Sequence, residues 1–81
     1  MDLKETATMM CSENYKERFK AEYYQLEARI SKLDKMLSDW LVGDLPFTPT
    51  CSFELLNEQL GAMKKYSVLL EKRARIEGIE L

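Results

Sequence analysis

The chain contains no histidine, and its 81 residues include only two cysteines, Cys11 and Cys51, outside any CxxC pair. That removes the usual Cys/His ligand sets of zinc, and with them Ser-His-Asp and Cys-His nucleophiles. The cysteines read as reduced thiols of a cytoplasmic protein. Glycine and proline are scarce, 3 and 2, which favours long uninterrupted helices. No Gly-rich phosphate loop is present. No apolar run approaches the roughly 18 residues of a membrane span, and the opening MDLKETATMMC lacks a hydrophobic signal core. A basic excess is missing too. The formal net charge of −2 argues against duplex nucleic acid as a partner and leaves room for a local anion site. No two carboxylates are forced onto one concave wall, so acid–base catalysis has no specific support. The chain reads as a non-enzyme that needs no cofactor and no metal.

Helical periodicity dominates what is present. Phe19, Leu26, Leu33 and Trp40 share one heptad position; Tyr23, Ile30 and Leu37 share the other. These steps alternate four and three, the seam of coiled-coil-like packing. Ser12 is placed to cap a helix over about 13–41. Gly43 then offers a left-handed stop. Pro46 and Pro49 in VGDLPFTPTCS forbid helix. Ser52 caps a second helix over about 53–77, with Glu54 in its first turn and Cys51 and Leu56 as a possible hydrophobic staple. Gly78 ends it, and Ile79-Glu80-Leu81 read as a trailing end. Leu45 and Phe47 are expected to cover the closed end of the hairpin. Residues 1–12 are weakly periodic, an arm or a short helix. The fold class expected is all-α, an antiparallel two-helix hairpin.

The second helix has more apolar surface than a hairpin buries. Leu56, Leu60, Met63, Ser67, Leu70 and Ala74 form the stripe that faces the first helix, yet Leu55, Ala62, Leu69 and Ile76 lie well off it. A hairpin buries one stripe per helix, and soluble monomers seldom expose a large apolar patch. So small a core also calls for reinforcement. Both points predict a homo-oligomer.

Beside the buried stripe runs a polar line, Gln59, Tyr66 and Arg73. Equal rise on both helices makes facing residue numbers sum to roughly 94. Glu22 then falls near Arg73, Arg29 near Tyr66 and Met36 near Gln59. One reading is structural: a Glu22–Arg73 ion pair, with Gln59 and Tyr66 fixing register. The other is a ligand site. Arg18, Lys20, Arg29 and Arg73 supply donors to phosphate, Tyr15, Tyr23 and Tyr66 supply faces for stacking, and Gln59 reads a base edge or ribose. The nearby Glu17, Glu22 and Glu71 count against it. Glu27, Lys32, Asp34, Lys35 and Asp39 read as a solvated face.

The stretch YKERFKAEYYQLEARISKL, followed by LLNEQLGAMKKYSVLLEKR, resembles a family of small phage and prophage proteins named after a protein of a crAss-like phage. The matching positions are Glu17, Arg18, Lys20, Glu22, Tyr23 and Leu26, then Leu56, Gln59, Leu60, Met63, Tyr66, Leu70 and Arg73. The resemblance implies a phage-encoded protein of the host bacterial cytoplasm. By analogy with other short helical phage oligomers, it implies an anti-defence sponge that sequesters a cyclic nucleotide signal of CBASS or Thoeris defence without cleaving it. The alternative is a coiled-coil oligomer that binds a host or phage protein and no small molecule.

Overall fold

A computed structural model describes residues 2–81; Met1, part of the expected arm, lies outside them. Three helices follow in order: α1 (Leu3–Met10), α2 (Tyr15–Leu41) and α3 (Phe53–Glu77). Among the described residues there is no strand. The molecule measures 43 × 24 × 17 Å, its long axis matching the roughly 40 Å that 27 helical residues span. α3 runs antiparallel to α2. Tyr15 reaches Glu77 at the open end, and Trp40 packs edge-on against Phe53 at the closed end, ring centroids 5.5 Å apart. Tyr23 meets Glu71 and Glu27 meets Ser67 between them, the register expected from equal rise.

The ends of α2 and α3 follow local rules with one correction. α2 begins two residues later than its pattern suggests, because Asn14 rather than Ser12 is the N-cap: its Oδ1 accepts from the Lys16 N–H. Ser12 instead accepts from the Asn14 N–H through Oγ, a turn that competes with capping. Gly43 (φ +78°) closes α2 in a Schellman motif. The Gly43 N–H donates to the Trp40 carbonyl and the Asp44 N–H to Asp39 at 2.8 Å. Ser52 caps α3 through the Leu55 N–H, as expected. Cys51 is exposed, so the Trp40–Phe53 contact, not a Cys51 staple, closes this end. Leu45 is half-buried here while Phe47 stays exposed. Cys11 and Cys51 are free thiols.

The core sits toward the open end. Phe19, Leu26, Leu70, Ala74 and Ile79 form one cluster, with Tyr23, Ile30 and Met63 packed against it. Ile79 does not trail off. Gly78 (φ +70°) turns the chain, the Ile79 N–H donates to the Ala74 carbonyl at 2.8 Å, and the Ile79 side chain is buried against the core. This is the hydrophobic contact that completes a Schellman cap.

The N-terminal segment is a helix, and it makes the architecture three-helical. Asp2 caps α1 through the Glu5 N–H, and the Thr6 hydroxyl donates to the Leu3 carbonyl. α1 packs on α2 and not on α3. Thr6 on α1 and Ala21 on α2 are both fully buried. The Arg18 guanidinium donates to the Ser12 carbonyl at 2.7 Å and ties the α1–α2 link to α2. α1 thus covers the back of α2 and leaves the outer face of α3 bare: Leu55, Tyr66, Val68, Leu69 and Ile76 are all exposed.

Candidate functional site

The eight residues singled out from the sequence do not gather on one surface. Tyr15 and Arg73 come together at the open end. The Tyr15 hydroxyl donates to Glu77 Oε1 at 2.7 Å, Arg73 Nε donates to Glu77 Oε2 at 3.2 Å, and Arg73 Nη2 donates to the Tyr15 oxygen at 3.1 Å. The guanidinium also lies over the Phe19 ring, 5.0 Å from its centroid. The Glu22–Arg73 ion pair is therefore not formed; Glu77, one turn along the same helix, takes the arginine instead. The hydrogen bond to Glu77 holds the Tyr15 phenol above its ordinary pKa. That same bond, helped by Arg73, holds the Glu77 carboxyl below the usual range. Burial opposes the Arg73 charge, yet Glu77 outweighs it and the guanidinium titrates above its ordinary value. This cluster is neutral overall and satisfied internally.

Four others lie elsewhere. Arg18 ties the link between helices. Tyr23 faces the opposite edge and donates to Glu71 at 3.2 Å; partial burial and then the Glu27 and Glu71 charges raise its pKa. Ser67 donates to Glu27 on the same edge, so Glu27 is half-buried and bonded rather than part of a solvated face. Lys20 is half-buried and Tyr66 exposed.

Arg29 and Gln59 do share a concave surface. A groove of about 350 Å³ is lined by both, together with Leu3, Lys32, Leu33, Met36 and Met63. α2 supplies the two cations at a three-residue spacing, on one face of the helix. α3 supplies the amide, resting 3.9 Å from the Met63 sulfur. α1 supplies Leu3. The floor is apolar and the rim cationic. Through Lys32 and Met36 the groove continues into a second hollow of about 370 Å³, walled by Lys35, Asp39, Leu45, Pro46 and Phe47. Lys35 there pairs with Asp39 at 2.8 Å, and that bond raises the lysine pKa. Arg29 and Lys32 make no ion pair among the described residues. The hollow at the open end, about 400 Å³, sets Arg75 against Glu71 and has no such cationic bias. Lys32 and Leu3 were not among the residues chosen from sequence. Lys32 was hidden in a mixed-charge run, and Leu3 lies on a helix whose docking had no periodic signal.

A family model described as Sequestin matches residues 13–76, which spans α2, the loop and nearly all of α3. This chain belongs to the Sequestin family. The match agrees with the resemblance carried by the two long helices. It includes Arg29, Lys32, Gln59 and Met63 of the groove and leaves α1, with Leu3, outside. No curated protein and no solved structure matches the chain. The Sequestin name points to sequestration, binding that withholds a ligand. Among the described residues no helix is long and apolar enough to cross a membrane, and no group of His, Cys, Asp or Glu is placed to hold a metal ion.

Proposed function

We propose that this Sequestin-family protein is a phage-encoded anti-defence sponge in the host cytoplasm. It works as a homo-oligomer that binds a cyclic nucleotide immune signal, of the CBASS or Thoeris type, and withholds it without cleaving it. The observation that carries this reading is the groove: two cations that make no ion pair among the described residues above an apolar floor, with one amide at the side. Phosphate is recognised by such donors, and guanidinium does so bidentately. An apolar floor with methionine sulfurs suits a flat aromatic ring. Within this reading Arg29 and Lys32 hold phosphate and Gln59 reads a base or ribose edge. Arg18, Tyr15 and Tyr23 have structural partners and drop to supporting roles.

The test is thermal stability against a panel of cyclic di- and trinucleotides and cyclic ADP-ribose isomers. A ligand at 100 times its Kd stabilises by about 2.7 kcal/mol. A selective shift is expected, lost in Arg29→Glu/Lys32→Glu and kept in Arg18→Lys, with intact ligand recovered after denaturation. No shift across the panel, or recovery of a cleaved ligand, refutes the sponge. A second reading, docking of a host or phage protein, is favoured by the exposed Leu41, Val42 and Phe47 at the closed end. It predicts a stoichiometric protein partner whose binding is lost in Phe47→Asp while the groove variants retain it.

A further inference from the structure

The bare face of α3 is not a random scatter of apolar residues. Leu55, Gln59, Ala62, Tyr66, Leu69, Arg73 and Ile76 are separated by steps of four, three, four, three, four and three. That is an unbroken heptad seam over the whole helix. Its d positions are Leu55, Ala62, Leu69 and Ile76, and its a positions are Gln59, Tyr66 and Arg73. At about 100° per residue this seam is turned roughly a quarter-circle from the Leu56–Ala74 stripe that packs on α2. α1 does not lie on it: the helix–helix contacts are α1 with α2 and α2 with α3. Leu55, Leu69 and Tyr66 are about half exposed, and Ile76 is 86% exposed.

We infer that this seam is the contact between two copies of the chain, α3 pairing antiparallel with α3 of the partner subunit. The inference specifies the interface of the homo-oligomer proposed above and rests on that part of the reading. Orientation follows from the side chains. Parallel pairing would stack Arg73 on Arg73 of the partner subunit inside the seam, like charges in a drying interface. Antiparallel pairing alternates a with d. It sets small Ala62 against the ring of the partner's Tyr66, Gln59 against the partner's Leu69, and Leu55 against the stem of the partner's Arg73, each twice about the two-fold axis. The outer flank, at the g positions, carries Glu58, Lys65 and Lys72. In that register Glu58 faces the partner's Lys72 twice, opposite charges flanking a seam. Lys65 falls beside the partner's Lys65 on the axis, where both reach solvent and the repulsion is weak.

The arrangement changes the groove. Gln59 belongs both to the seam and to the groove that holds Arg29 and Lys32. A partner helix seated on the seam therefore walls that groove and brings the partner's Arg73 to Leu55, about one helical turn from Gln59. The partner's Arg73 would contribute its stem to that wall, since its guanidinium is held by Glu77 and Tyr15 of its own subunit.

Light scattering on the purified full chain tests this, with circular dichroism to confirm helicity. At about 100 µM the wild type is expected at an even multiple of 9.5 kDa. Leu69→Glu, at a half-exposed position of the monomer, is expected to halve that mass and keep its helices. Glu58→Lys and Lys72→Glu each are expected to raise the subunit Kd roughly tenfold by turning two attractions into repulsions. The double variant Glu58→Lys/Lys72→Glu returns it to near wild type, an outcome that does not depend on whether Leu69→Glu folds. A monomeric wild type overturns both the homo-oligomer and the seam. An oligomer whose mass ignores Leu69→Glu, or whose charge swaps fail to compensate, overturns the seam and leaves the homo-oligomer standing.

Discussion

Ile79→Ala should be among the most damaging single changes outside the long helices. Ile79 lies past the end of α3, yet is only 6% exposed and packs in the cluster of Phe19, Leu26, Leu70 and Ala74. Truncating a buried isoleucine to alanine costs about 2–5 kcal/mol, the upper values where the cavity cannot relax. Here the cavity lies beyond the last turn of α3, at the edge of the core rather than between the two long helices, so collapse is easy and about 2 kcal/mol is expected. At about 2.1 cal/mol/K of unfolding entropy per residue, 81 residues give about 0.17 kcal/mol/K, and the Tm should fall by about 12 °C. The same truncation at Leu41, 73% exposed, should move it by less than about 3 °C, within the usual ±0.5 kcal/mol of surface positions. Differential scanning calorimetry of both variants and wild type, at one protein concentration because association shifts Tm, makes the comparison. Equal shifts for Ile79→Ala and Leu41→Ala would refute the reasoning: the C-terminus would then not be part of the core.

Two further outcomes follow from local geometry. Asn14→Ala should cost about 1 kcal/mol as a lost N-cap, read as a Tm drop of roughly 6 °C, and Ser12→Ala less; the reverse order would return the α2 cap to Ser12. The Tyr15–Glu77–Arg73 cluster predicts a pH signature at both ends. Glu77 has a lowered pKa in the fold, so its contribution is whole above the ordinary carboxylate range near 4.3 and is lost as pH falls through the lower folded value. Tyr15 has a raised pKa, so its contribution is whole below about pH 10 and is lost as pH rises through the higher folded value. The Tm gap between wild type and Tyr15→Phe should therefore be widest between those limits; a gap constant from pH 3 to 11 contradicts the linkage.

Much of the fold is legible because coiled-coil-like packing writes itself as a period. The α2 seam, the α3 stripe, the Ser52 cap and the Gly43 stop are all local or periodic signals, and all appear where the pattern puts them. α1 was harder. Its docking depends on Ala21, a small residue on the side of α2 away from the seam, fully buried beneath an eight-residue helix; periodicity carries no trace of a contact made by absence of bulk. Ile79 was legible in principle, since an apolar residue just after a C′ glycine packs back on the last turn. The site was legible only in part. Arg29 and Gln59 come together because facing numbers near 94 bring Met36 and Gln59 level. Arg73 went to Glu77 instead of Glu22, because an i,i+4 partner on its own helix is available without ordering a second one.

The polar line Gln59, Tyr66 and Arg73 has a physical reason that neither a register device nor a binding site supplies alone. α3 carries two apolar seams about a quarter-circle apart, and these three residues stand on the edge between them. In the proposed dimer, a residue on that edge is covered from two sides along its stem and reaches solvent only at its tip. Aliphatic residues there would merge the seams into one broad face, with no preference for where α2 or a second helix should sit. Charged residues with short stems would be stripped of water. Long side chains with an apolar body and a polar end satisfy both demands, as Arg73 does with its guanidinium over Phe19 and its donors on Glu77 and Tyr15. The same property leaves a polar tip wherever the edge opens onto a hollow, and at Gln59 it opens onto Arg29 and Lys32. On the proposed reading, binding capacity in this fold is a by-product of keeping two packing seams apart, sharpened where Arg29 and Lys32, which make no ion pair among the described residues, come within reach.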